Sequence, residues 1–135
     1  MFTEQNKAIV RRLYDEAWSR GNLDVADELL APDYQGIARD TRGPAGFKRN
    51  VGGRRATWPD LRVTIEDQIA EGDMVVTRWT ARGTHSGEFQ GVAATGREIR
   101  IAGTDIDRIV GGKVAECWAH LDELGLMRQL GVIGA

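Results

Sequence analysis

From Leu61 to Leu121 the apolar residues recur with a period of two, whereas before Leu61 they recur every third or fourth position. The first period belongs to half-buried strands and the second to amphipathic helices. Helices grouped ahead of strands predict an α+β fold rather than alternating βαβ units. The predicted architecture is a cone-shaped α+β barrel. N-terminal helices pack on a curved antiparallel sheet and enclose an apolar cavity.

The elements follow from local pattern. Residues 4–19 read as a helix, with Ile9, Leu13 and Ala17 on one stripe and Val10, Tyr14 and Trp18 beside it. Thr3 is the expected N-cap and Gly21 the stop. Asn22 can cap a second helix, "LDVADELL", that Pro32 ends. Pro44 opens a third, with Phe47 and Val51 on its apolar face. "LRVTIEDQI", "MVVTRWTARGTH", "EIRIAGTDIDRIV" and "KVAECWAHL" read as strands. "EFQGVA" reads as a resumed strand after a break at Ser86-Gly87. Gly111-Gly112 is a hairpin signal, and "DELGLMRQLG" a closing helix.

Composition narrows the function. The chain has 135 residues, read as one domain over 1–135, with 41% hydrophobic and 28% charged residues. Its net charge of -2 gives no electrostatic case for nucleic acid. Arg11-Arg12 and Arg54-Arg55 read as solvated helix faces. Cys117 is the only cysteine, which suits a reducing cytoplasm. No apolar run is long enough for a membrane span, and the N-terminus does not read as a signal peptide. Two distant histidines and one cysteine make no zinc pattern, and no phosphate loop or dinucleotide fingerprint is present. An enzyme built on this chain is expected to work without a cofactor, by acid–base chemistry on a small apolar substrate.

The candidate residues follow from strand faces. One face of 99–109 carries Ile99, Ile101, Gly103, Asp105, Asp107 and Ile109. A carboxylate on such an apolar face is desolvated, so Asp105 is the candidate general acid or base. In the last strand Ala115, Cys117, Ala119 and Leu121 form a small apolar face, with Glu116, Trp118, His120 and Asp122 opposite. Strict alternation turns His120 away from a pocket on that face, and a bulge would turn it in as a second catalytic candidate. Asp122 fits a helix N-cap. His85 can orient a substrate at the pocket mouth or fix the strand break. Tyr14 and Trp18, one helical turn apart, and Phe47 and Asn50, three residues apart, can each share a face and line a pocket. Cys117 reads as a small buried residue rather than a nucleophile.

The stretches "GTHSGEFQGVAATGR", "DRIVGGKVAECW" and "LMRQLG" resemble the SnoaL-like polyketide cyclases, also called ester cyclases, in the right order along nearly the whole chain. The resemblance implies the nuclear transport factor 2-like fold and a homodimer joined through sheet faces. It implies a cofactor-independent enzyme of polyketide biosynthesis. Such enzymes close a ring on a polycyclic aromatic substrate by intramolecular aldol condensation, and related members are implicated in hydroxylation. Tyr14 and Asn50 match cavity positions of the cyclases. Asp105 stands where a cyclase has an active-site histidine, and Ala119 where it has its acid–base aspartate. The alternative reading is a non-catalytic ligand-binding or dimerisation module on the same scaffold.

Overall fold

The protein is described by a computed structural model covering residues 2–37 and 39–133. Helix α1 (Thr3–Arg12) runs without a break into a π-helical stretch, Leu13–Ser19, which buries Leu13, Tyr14 and Ala17. The predicted 4–19 helix is therefore helical throughout, but its last turns are wider than an α-helix. Two carbonyls there, Trp18 and Ser19, accept from Arg55 Nη1 at 2.6 and 3.1 Å. Thr3 does not cap α1. It is the first helical residue, Phe2 holds the cap position, and no side-chain cap bond forms.

The second helix is shorter than its pattern suggests. Helix α2 spans Val25–Leu29 after Asp24, so Asn22 does not cap it. The chain then becomes strand β1 (Leu30–Gly36), passing straight through Pro32. Pro32 is tolerated because the pairing of β1 with its neighbour is irregular between Leu30 and Gln35, where no ladder donor is required. Strand β2 (Thr41–Arg42) and helix α3 (Gly43–Thr57) follow, with Pro44 in the first turn as expected.

Strands β3 (Arg62–Glu71), β4 (Met74–Thr84), β5 (Glu98–Val110) and β6 (Lys113–Leu121) match the period-two segments. Gly111 and Gly112, at φ 59° and 78°, make the β5–β6 hairpin. The expected strand "EFQGVA" is not one. Within residues 86–97 only Phe89 and Val92 bridge, around a tight turn at Gln90 and Gly91, both at positive φ. The N–H groups of Ser86 and Gly87 donate to the Thr57 carbonyl, which pins this loop to the end of α3.

The sheet runs β2-β1-β6-β5-β4-β3. It is curved and unclosed, and not wholly antiparallel, because β1 and β6 pair in parallel. A parallel pair needs a long crossover, and everything from β2 to β5 serves as one. One core joins the helices to the sheet through Val10, Leu13, Ala17, Phe47, Val51, Val75 and Val114. A second gathers Trp58, Leu61, Phe89, Ile99, Leu126 and Leu130. Helix α4 (Glu123–Gln129) closes over it, capped by Asp122, whose side chain accepts from Gly125 N at 2.9 Å. No helix among the described residues is long and apolar enough to cross a membrane.

Arg55 is not on a solvated face. Besides Trp18 and Ser19 it donates to the carbonyls of Pro59 and Leu61, at 3.2 and 3.4 Å. It thereby ties the π-helical end to the entry of β3. Arg55→Met leaves partly buried carbonyls without a partner and is expected to cost about 2 kcal/mol. Urea denaturation measures this; a loss below about 0.5 kcal/mol would show that the clamp contributes little.

Candidate active site

The inward face of β5 alternates as its sequence demands. Ile99, Asp105, Asp107 and Ile109 are buried, while Glu98, Arg100, Ala102, Thr104 and Val110 are exposed. Asp105 is 9% exposed and lines a cavity of about 130 Å³ between the helices and the sheet. Tyr14 Oη donates to its Oδ2 at 2.5 Å, and Trp79 Nε1 to its Oδ1 at 3.0 Å. Burial pushes the Asp105 carboxyl above its ordinary range, and these two donors, with His120 and Arg39 farther off, pull it back. Tyr14 stays protonated, because burial and then the charges of Asp105 and Asp107 hold its phenol well above the usual value.

Each donor has a structural cause. The π-helical turns present Tyr14 and Trp18 to the cavity together. Trp79 pairs with Gly103 across β4 and β5, and Thr77 with Asp105. A Cβ on Gly103 would lie 2.3 Å from Trp79 Cζ2, so only glycine lets the indole lie across β5. From there Nε1 reaches Asp105, one inward position along the strand. Asp107, the next inward residue, has no comparable donors. It is 4% exposed and lies against the Cys117 thiol. Burial, then the neighbouring Asp105 charge, pushes its carboxyl up to about 8.

The sequence candidates divide cleanly. Tyr14, Trp18, Phe47, Asn50, Asp105 and Ala119 all line the cavity. His120 does not. It is exposed and pairs with Thr104 on the outer face. Strand β6 does carry a bulge, but it falls between Val114 and Glu116. There it turns Val114 inward in place of Ala115, and strict alternation resumes before His120. His85 does not reach the cavity either. It is fully buried, its ring packs at 5.1 Å from Trp58, and Thr95 N donates to its Nδ1 at 3.2 Å. Its backbone bonds Arg97 and Gly96, so it fixes the break after β4.

Sequence reading missed Tyr34, Trp58, Trp79, Arg39 and Arg54, which also line the cavity. Two were detectable. Gly103 on an inward strand face signals a large side chain opposite, and Arg54 continues the Phe47–Asn50–Val51 stripe by one helical turn. Cys117 lines the cavity, but burial and the charges of Asp107 and Asp105 raise its thiol well above the usual value. It is no thiolate nucleophile. Among the described residues no three His, Cys, Asp or Glu side chains cluster as metal ligands.

Two measurements check this geometry. Because Asp107 binds its proton more tightly folded than unfolded, its contribution to stability is complete below about 4. It is lost as pH rises toward about 8. Asp107→Asn should therefore gain stability relative to the parent between pH 5 and pH 8, by several kcal/mol at most. Thermal melts at both pH values decide this, and a pH-independent difference would contradict it. Gly103→Ala should displace Trp79 and break its bond to Asp105. A changed near-ultraviolet spectrum is expected, with about 1–3 kcal/mol of destabilisation; an unchanged spectrum would refute the packing.

Comparison with known proteins shows what the chain as a whole is similar to. The sequence profile of the SnoaL-like polyketide cyclases matches residues 8–130. The nogalonic acid methyl ester cyclase of Streptomyces nogalater is 32% identical over 120 residues, covering 85% of this chain and 90% of that one. The aklanonic acid methyl ester cyclase AcmA of Streptomyces galilaeus is 33% identical over 129 residues, covering 92% and 89%. AclR of Streptomyces galilaeus, assigned as a candidate hydroxylase, superposes with a TM-score of 0.88 at 29% identity, over 98% of this chain and 85% of that one. With the profile spanning most of the chain and both cyclases aligned along most of their length, the protein belongs to the SnoaL-like polyketide cyclase family.

Proposed function

We propose that the protein is a cofactor-independent enzyme that closes a ring on a polycyclic aromatic polyketide, with Asp105 as its acid–base residue. The observation that carries this is a single carboxylate in an apolar cavity, gripped by two donors and raised in pKa by burial. Each Asp105 oxygen accepts one bond and keeps an acceptor site for a substrate proton. Trp18, Phe47, Trp58 and Tyr34 offer aromatic walls to a flat polycycle. The names of the two cyclase relatives point to the same substrate class.

The chemistry balances without a redox partner. Asp105 takes a proton from the carbon next to a carbonyl, and that C–H pair becomes an enolate. The enolate carbon attacks a second carbonyl of the same molecule, forming the C–C bond. The displaced π pair becomes an alkoxide, which takes the proton back from Asp105. Tyr14 and Trp79 are positioning residues, each holding one oxygen of the carboxylate. In the resembling cyclases the acid–base aspartate occupies the position of Ala119, and here Asp105 is the cross-strand partner of Ala119. The carboxylate would thus serve the same space from the adjacent strand. A homodimer through the outer sheet face, which carries Trp118 and His120, belongs to the same proposal.

A second reading, hydroxylation, is favoured by the likeness to AclR. It would use the same base but consume dioxygen and an external two-electron reductant that takes the second oxygen atom to water, so product formation under anaerobic conditions separates the two.

Asp105→Asn should lower turnover of aklanonic or nogalonic acid methyl ester by about 100-fold or more with the fold retained. Chromatography of the products measures it. Because the base must be ionised, kcat/KM should rise with pH through a midpoint above the ordinary carboxylate value. Tyr14→Phe removes a donor to the charged form and should move that midpoint higher. Undiminished turnover in Asp105→Asn removes the residue from the mechanism. Ligand binding by the parent protein with no product supports the non-catalytic reading.

A further inference from the structure

One cation of the cavity wall has no partner of its own among the described residues. Arg54, in the last turn of α3, and Arg39, between β1 and β2, both line the cavity. Arg39 has a partner, with Nη2 at 3.5 Å from Glu123 Oε1. Arg54 is half-buried, and among the described residues its guanidinium makes neither a hydrogen bond nor an ion pair. It rests instead over the Phe89 ring, 5.4 Å from the centroid. Burial and the repulsion of Arg39 push it down to about 10, and Glu123 is the only carboxylate that opposes this. It is still a cation at neutral pH. Its near neighbours Arg55, on carbonyls, and Lys48, on Asp27, are fully engaged by contrast.

A half-buried guanidinium with five donors and no acceptor is costly unless something arrives to accept them. Arg54 lines the space a ligand would fill. A carboxylate matches it best: its two oxygens fit the planar fork, and at neutral pH it is an anion while the guanidinium is a cation. No ion pair joins Arg39 or Arg54 to Asp105 among the described residues, so an acid docked at the arginines would leave the reacting carbon to Asp105.

Building on the reading of this cavity as the substrate site, we propose that Arg54, assisted by Arg39, binds a free carboxylate of the substrate. The preferred substrate is then an aromatic polyketide acid rather than the methyl ester in the relatives' names.

Trp18, Trp58 and Trp79 line the cavity, so binding can be read without turnover by quenching of tryptophan fluorescence. The probes are anthraquinone-2-carboxylate and its methyl ester. The acid should bind about tenfold or more tightly than the ester. Added salt should weaken the acid and leave the ester unchanged. Arg54→Gln should abolish the preference without weakening the ester, and Arg54→Lys should keep part of it. Arg82→Gln, an equal loss of charge on the exposed outer face, should keep all of it. Equal binding of the two probes, or a preference that survives Arg54→Gln, overturns the inference while leaving the cavity as the substrate site. Failure of both probes to bind overturns the cavity reading as well. Should Arg54→Gln not fold, the salt dependence of the parent protein decides alone, and a salt-independent preference rejects the inference.

Discussion

The site depends on the balance struck at Asp105 between desolvation and two hydrogen bonds. Burial pushes the carboxyl above its ordinary range, toward the neutral form. The bonds from Tyr14 and Trp79 favour the charged form and pull it back down. Asp107 shows the outcome without such donors. It stands on the same face of the same strand, and burial drives it up to about 8. Two carboxyls two residues apart thus have different acidities because one is met by Tyr14 and Trp79 and the other by a thiol.

Much of the surrounding structure serves that balance. Gly103 exists to let an indole cross the strand, since any Cβ there would collide with it. The π-helical turns carry Tyr14 over the carboxylate while their displaced carbonyls are taken up by Arg55. Ala119, directly across from Asp105, leaves room where a larger side chain would compete for the cavity. A general base in a tight apolar pocket needs such supports, because a small displacement of either donor changes its charge state.

The fold was legible where one period ran undisturbed. The four long strands, α3 and the capping role of Asp122 were readable, because burial on one face imposes alternation and a cap leaves a local signature. Strand β1 was not, because Pro32 breaks its pattern and its partner β6 lies some eighty residues on. "EFQGVA" misled in the opposite sense: its apolar residues pack Phe89 into the second core from a loop. Asp105, Tyr14, Trp18, Phe47, Asn50 and Ala119 were found from faces and resemblance. His85 stayed open between two roles, because a buried structural histidine and a binding histidine look alike in a chain.

The sequence by itself determined that Asp105 and Asp107 share one apolar strand face, while a bulge left open which way His120 turns. The shared face is a one-dimensional consequence of a period of two, interrupted by bulges at Glu66 in β3 and Ala115 in β6. It also carried the family, through motifs spread over the whole chain. Only the tertiary structure decided which inward residues meet. Trp79 reaches Asp105 across a glycine from another strand, Tyr14 from a helix ninety-one residues away, and Arg54 finds an aromatic ring but no carboxylate. Acidity and charge balance are set by such neighbours in space, and no spacing along the chain encodes them.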